Sequence, residues 1–160
     1  MENRNPLPVS PDVARLPEQQ LLELIHASLE LSGRFILTVT GCSMAPTLHH
    51  LHDRVELLPP GVRPPKPGEI VLFRRAGGGC ILHRILRREK DGFRVNGDAQ
   101  NWTEWIRTEQ VIAVVGRICR NGRWICCDAP WYRCYQALWR GLLPCRGVLG
   151  RIHKFVRKCR

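Results

Sequence analysis

Residues 34–50 read RFILTVTGCSMAPTLHH, and our interpretation of the fold starts from this stretch. The run Phe35–Thr40 is rich in β-branched and apolar residues, which predicts a strand. Gly41 then permits a tight turn that places the hydroxyl of Ser43 at its tip. Such a turn suits a nucleophilic serine, although ordinary turns also use glycine and serine.

The composition predicts one soluble globular domain. The chain has 160 residues, of which 44% are hydrophobic and 24% are charged, and these values are typical of soluble proteins. No apolar stretch approaches the roughly 20 residues that a membrane span requires, and the N-terminus lacks the pattern of a signal peptide. We therefore expect a cytoplasmic protein without a transmembrane segment.

The distribution of charge is uneven. The chain carries 25 basic and 14 acidic residues, a formal net charge of +11, and no acidic residue follows Asp128. A basic tail of this kind indicates a polyanionic surface as partner, either membrane lipid or nucleic acid.

Cysteines and histidines offer two further candidate sites. The chain has eight cysteines but no C-x-x-C pair, so free thiols are expected in a cytosolic protein. Cys119 and Cys126 flank a predicted hairpin, and whether they pair stays open. The cluster of His49, His50 and His52 falls in a polar turn, where we expect no metal and no cofactor.

Periodicity along the chain predicts a helix followed mainly by strands. Leucines and Ile25 form one apolar face over Pro17–Leu31, and Gly33 suits the end of that helix. Helical spacing returns from Trp131 to a break at Pro144, and a second helical piece begins at Val148. The predicted strands after Phe35–Thr40 are Arg54–Leu58, Glu69–Arg74, Cys80–Arg88, Phe93–Asn96, Gln110–Cys119 and Arg123–Cys127.

The predicted fold is therefore mainly β, with three regions. Residues 1–33 form an N-terminal loose segment (1–16) and one helix, residues 34–128 form a β-domain, and residues 129–160 form a basic amphipathic helical tail. A helix-turn-helix module is not expected, because only one helix precedes Ser43.

A catalytic serine needs a neighbouring base, and His83 is the best candidate from its position. It lies in the predicted strand segment ILHRIL, opposite the strand GEIVLF across a glycine turn, and a rigid strand favours accurate placement. Asp98, in NGDAQN, follows a glycine at the end of the next strand. Its carboxylate could accept a hydrogen bond from the imidazole Nδ1–H and so orient the ring.

Taken together, the ordered motifs resemble the signal peptidase I and LexA-like serine peptidase superfamily. This resemblance spans about residues 34–118 and implies a mostly β fold with the serine at a strand end, beside which substrate adds as an extended strand. Histidine in place of the lysine base resembles the endoplasmic-reticulum and archaeal branch. The motifs are G-x-S-M-x-P-T-L at 41–48, PGEIVLF at 67–73, HR at 83–84, GD at 97–98 and VVGRI at 114–118.

The resemblance implies a role for each candidate residue. Ser43 would be the nucleophile, His83 the base and Asp98 the orienting acid, with Glu104, six residues later, as the alternative acid. Many signal peptidases have a serine where this chain has Gly41, so the backbone N–H of Ser43 is expected to be the main oxyanion donor.

These observations predict a serine endopeptidase of signal-peptidase type that cleaves a leader or signal-like peptide through an acyl-enzyme. Its partners would be a peptide or preprotein substrate and, peripherally, the anionic inner face of the membrane, whereas nucleic acid is not the expected partner. The alternatives are a LexA-like regulatory protease that cleaves itself, and a non-enzymatic basic adaptor for membrane or nucleic acid.

Overall fold

The computed structural model describes residues 16–141 of the chain. The prediction of a mainly β protein is confirmed, because the described residues form one eight-stranded antiparallel sheet and two α-helices. Nearly all of the predicted loose segment, the predicted second helical piece after Pro144, and two of the eight cysteines lie outside the described residues.

Most predicted elements are present with ends that differ by one or two residues, and one strand, β6, was not predicted. The first strand stops at Thr38 because Val39 instead hydrogen-bonds to the loop residues Asp53 and Leu51. The elements are α1 (Glu18–Ser32), β1 (Phe35–Thr38), β2 (Arg54–Leu58), β3 (Ile70–Arg74), β4 (Cys80–Glu89), β5 (Gly92–Asn96), β6 (Glu104–Arg107), β7 (Val111–Arg120), β8 (Arg123–Cys126) and α2 (Pro130–Gly141).

The sheet follows the order β1-β2-β7-β3-β4-β5-β6, and β8 pairs with β7. All of these pairings are antiparallel. Strand β7 is therefore central, because it pairs with β2, β3 and β8. The long loop between β1 and β2 contains Ser43. It begins at β1, which is an edge strand of the sheet.

Strand β3 is buried on both faces and separates two hydrophobic clusters. Ile70 and Leu72 belong to a cluster that also holds Ile25 of α1, whereas Val71 and Phe73 belong to a second cluster on the other face. Alternate side chains of a strand point to opposite faces, which explains the division. The near-continuous apolar sequence IVLF is what such a doubly buried strand requires.

The same alternation separates two neighbouring residues of β4. His83 lies opposite Val71 of β3, and Arg84 lies opposite Ile70. His83 is therefore on the face of the second cluster, and Arg84 on the face of the first. Both side chains are buried, at 1% and 0% exposed.

Helix α1 covers one end of the sheet. Leu22, Ile25 and Leu29 are buried at helical spacing, and the helix ends at Gly33, whose φ of 69° suits glycine. At its start, the Glu18 Oε1 accepts a hydrogen bond of 2.8 Å from the backbone N–H of Gly79, in the turn between β3 and β4. The helix is thus tied by a hydrogen bond at its start to the turn between β3 and β4, and by its buried face to the sheet.

Two loops meet where the Ser43 turn contacts the segment after β5. The backbone N–H of Ala99 donates a 2.8 Å hydrogen bond to the carbonyl oxygen of Ser43. Gly97 allows this approach, since a Cβ there would lie 2.7 Å from the same oxygen and 2.7 Å from Oε1 of Gln100. Any larger residue at position 97 would separate the two loops.

We expect Gly97→Ala to lower the free energy of unfolding by about 1–3 kcal/mol, because the added methyl group must displace backbone. Urea denaturation measures this change. Gly77→Ala is the matched control, since a Cβ at Gly77 meets nothing within 4 Å. Equal unfolding midpoints for the two variants would contradict this account of the loop contact.

Candidate active site

Ser43 and His83 line the same cleft, which encloses about 320 Å³. Its walls combine apolar side chains from α1, β1 and β3 with a few polar groups from the loops. Ser43 is half-buried, and no hydrogen bond joins it to His83 in the described part of the chain. The apolar wall includes Leu21, Ile25, Leu37, Val39, Met44, Leu72 and Leu82, and the polar groups include Arg75 and Gln100.

The turn that carries Ser43 is held in place from both sides. Gly41 has a φ of 85°, a conformation that glycine adopts without strain, and its N–H donates a 2.9 Å hydrogen bond to Nδ1 of His50. Further along the loop, buried Asp53 accepts hydrogen bonds from the guanidinium of Arg120 and from the N–H of His49. The serine therefore projects from a loop anchored by a buried carboxylate.

The backbone groups of Ser43 differ in their hydrogen bonding. Its carbonyl oxygen accepts from Ala99, as described above, whereas no group among residues 16–141 accepts from its N–H. The N–H of Ser43 is therefore available to a bound ligand, as the donor of an oxyanion hole would have to be.

His83 is held by packing as well as by its strand. Its ring centroid lies 5.9 Å from that of Phe73 and 6.1 Å from that of Trp102, the latter with its ring nearly perpendicular. These aromatic neighbours remove the imidazole from bulk water. They also restrict its rotation.

Glu104 is the carboxylate beside His83. Its Oε1 lies 3.0 Å from Nδ1 of the imidazole. The oxygen does not lie along the direction of the ring N–H, so the contact is not an aligned hydrogen bond. An ionised carboxylate can only accept hydrogen, so the neutral ring carries its proton on Nδ1. The Nε2 nitrogen is then left with a free lone pair.

Arg75 holds Glu104 in this position. Its Nε and one terminal nitrogen donate hydrogen bonds of 2.8 and 2.7 Å to the two carboxylate oxygens, and its guanidinium carbon lies 5.7 Å from the centre of the Trp102 ring. Burial acts to raise the pKa of the Glu104 carboxyl, but the hydrogen bonds and charge of Arg75 outweigh that effect and hold it below its usual range.

The surroundings of His83 favour its neutral form. Burial lowers the pKa of His83, and the negative charge of Glu104 offsets this effect only in part. The positive charge of Arg75 lowers the pKa further. At neutral pH the imidazole is therefore an unprotonated base, which is the form that can accept a proton from a hydroxyl.

Asp98, which the sequence favoured as the partner of His83, forms a buried bidentate ion pair with Arg84. The closest contact, between a terminal nitrogen of Arg84 and Oδ2, is 2.6 Å, and Nε lies 2.9 Å from Oδ1. The reason is the alternation along β4, because Arg84 points to the face opposite His83. Glu104 therefore lies against the imidazole of His83, whereas Asp98 binds Arg84, the next residue of β4.

The other candidate groups have different surroundings. Among residues 16–141 no set of three histidines, cysteines or carboxylates has the geometry of a metal site. Within the same residues the six cysteines are free thiols, including Cys119 and Cys126. Neither described helix is both long enough and apolar enough to cross a membrane.

Sequence reasoning missed three residues that line or shape the cleft. Arg75, Gln100 and Trp102 lie in predicted turns or unassigned segments, and no motif marks Arg75 or Trp102. Arg75 precedes the glycine turn 77–79, and its contact with Glu104 depends on how that hairpin folds back over β6. Only the polar residue Gln100 falls inside a segment that the sequence had singled out, NGDAQN.

Comparison of the chain with protein-family models and with curated proteins gives no match. The resemblance to signal peptidases therefore depends on the chain's own motifs.

We expect Arg75→Met to raise the pKa of His83, because a nearby positive charge is lost while Glu104 remains. Proton NMR of the histidine Hε1 resonances measures the midpoint, and His83→Gln assigns the signal. Arg74→Met is the matched control, since Arg74 is 60% exposed and contacts Glu18 instead. The described electrostatics would be wrong if Arg75→Met left the midpoint of His83 unchanged.

Proposed function

We propose that the chain is a serine endopeptidase of signal-peptidase type that cleaves a leader or signal-like peptide through an acyl-enzyme. One observation carries the proposal. Ser43 lines the same cleft as a buried, neutral histidine whose Nδ1 faces an ionised carboxylate. A base of this kind is what a serine hydroxyl needs to become a nucleophile.

In the acylation step, the Oγ of Ser43 attacks the carbonyl carbon of the scissile peptide bond. Nε2 of His83 accepts the hydroxyl proton, and Glu104 stabilises the imidazolium that forms. We assign this orienting role to Glu104 rather than Asp98, because Asp98 is engaged by Arg84 in its buried pair. The protonated ring then donates the proton to the leaving amine, the C–N bond breaks, and an ester to Ser43 remains.

Deacylation uses the same groups in the reverse sense. A water molecule loses a proton to Nε2 of His83 and attacks the ester, and Ser43 leaves with that proton to regenerate the enzyme. The backbone N–H of Ser43 would donate to the oxyanion in both steps. Gly41 has no hydroxyl that could donate to the oxyanion. Gln100 also lines the cleft, and its side-chain amide offers a second donor.

The open edge of β4 suits an extended substrate. Among the described strands, β5 pairs with β4 only from Arg84 onward, whereas the segment 80–83 pairs with β3 alone. A peptide could therefore add along this segment by main-chain hydrogen bonds and reach His83. The apolar wall of the cleft favours a substrate with small or medium apolar side chains there.

A fluorophosphonate probe tests the nucleophile. We expect the probe to label the wild-type chain covalently and to leave Ser43→Ala unlabelled, as measured by intact-protein mass spectrometry. Ser32→Ala is the matched control, because Ser32 is an exposed serine at the end of α1. The labelling rate should rise with pH through a midpoint below that of ordinary histidine, since burial lowers the pKa of His83.

The alternatives predict other outcomes. A basic adaptor without enzymatic activity would show no labelling of the wild-type chain, and labelling that persists in Ser43→Ala would exclude Ser43 as the nucleophile. A self-cleaving protease would release fragments from the purified chain that are absent for Ser43→Ala.

Helix α1 allows a test of substrate preference. Leu21 is half-buried and lines the cleft. Leu21→Ala should therefore widen the cleft and raise the relative kcat/KM for substrates with bulkier side chains about tenfold. A peptide library read by mass spectrometry measures the change. Leu24→Ala is the control, since Leu24 lies on the same helix but is 41% exposed. Unchanged preference in Leu21→Ala would place the side-chain pocket elsewhere.

A further inference from the structure

Helix α2 has two faces with different roles. Tyr132 and Gln136 are only 4% and 6% exposed, and the hydroxyl of Tyr135 lies 2.9 Å from Oγ1 of Thr47. Tyr132 belongs to the main hydrophobic cluster, against which Tyr135 packs. This face attaches the helix to the β-domain.

A second face, adjacent to the first, carries exposed apolar side chains. Trp131 and Leu138 are 59% and 65% exposed, and a spacing of seven residues places them on the same side of the helix, two turns apart. Cys134 is exposed between them. Aromatic and leucine side chains that project together from a helix indicate a surface that binds something apolar.

The charge of the surrounding chain identifies the chemistry of the partner. Arg133 is exposed on α2, and the sequence after Asp128 contains eight lysines and arginines and no acidic residue. A basic segment with Trp and Leu on one helical face is typical of helices that lie in the interface of an anionic bilayer. Nucleic acid would use the positive charge but would leave the apolar pair without a role.

We propose that the outer face of α2, formed by Trp131, Cys134 and Leu138, docks on an anionic lipid surface. Trp131 and Leu138 enter the boundary between headgroups and acyl chains, and Arg133 contacts lipid phosphates. This docking does not depend on the chemistry at Ser43, because Tyr132, Tyr135 and Gln136 leave the outer face free whatever reaction the cleft performs.

Vesicle sedimentation with the full chain tests the proposal. We expect binding to vesicles of equimolar phosphatidylcholine and phosphatidylglycerol, weaker binding as salt is raised, and little binding to phosphatidylcholine alone. The double variant Trp131→Ser with Leu138→Ser should bind the anionic vesicles about tenfold more weakly or less. The matched control is Leu31→Ser with Val62→Ser, whose side chains are 89% and 70% exposed outside α2.

Two results would overturn the proposal. One is equal binding of the wild-type chain to neutral and anionic vesicles. The other is that the double variant binds anionic vesicles as tightly as the wild-type chain and that short duplex DNA displaces the two equally. Charge alone would then be responsible for the binding. Urea denaturation of each variant shows whether folding is intact, and labelling of Ser43 reports separately on the peptidase chemistry.

Discussion

The buried ion pair between Arg84 and Asp98 connects three loops, two of which line the cleft. Besides its bonds to Asp98, Arg84 donates to the carbonyl oxygen of Gly68 at 2.7 Å and reaches Oγ1 of Thr47 at 3.4 Å. One guanidinium thus joins the β2–β3 loop, the Ser43 loop and the segment after β5. Breaking a buried pair of this kind costs roughly 3–5 kcal/mol, because one charge remains unpaired, so these loops are held together strongly.

The division of labour between His83 and Arg84 follows from strand geometry. Neighbouring residues on β4 point to opposite faces, so His83 packs beside Phe73 of the second cluster and lines the cleft, whereas Arg84 is buried on the face of the first cluster. Each has its own carboxylate, Glu104 for the imidazole and Asp98 for the guanidinium. Glu104 has the larger effect on the imidazole, although the negative charge of Asp98 also acts to raise the pKa of His83.

Electrostatics in the cleft depend on a chain of contacts that begins at α1. Glu18 accepts a hydrogen bond from Gly79 in the turn between β3 and β4. The backbone of Arg75 is hydrogen-bonded to Gly78 and Gly79 of the same turn. Arg75 in turn keeps Glu104 ionised and close to His83. The N-terminal helix therefore contributes to the site in two ways, as an apolar wall and as a support for the carboxylate.

Local sequence patterns determined α1, seven of the eight strands and α2, because periodicity and turn residues act over a few neighbouring positions. They also predicted that Ser43 lies in a turn after the first strand and that His83 lies on a strand, although β1 ends at Thr38 rather than at Thr40. Strand β6 was not predicted, since four residues of which only Ile106 is buried show too little alternation. Tertiary structure alone decided which acid meets the imidazole and that Arg75, 29 residues before Glu104, holds it. The physical reason is that side-chain direction depends on strand register and on how hairpins fold over one another, and neither is encoded within a short stretch of sequence.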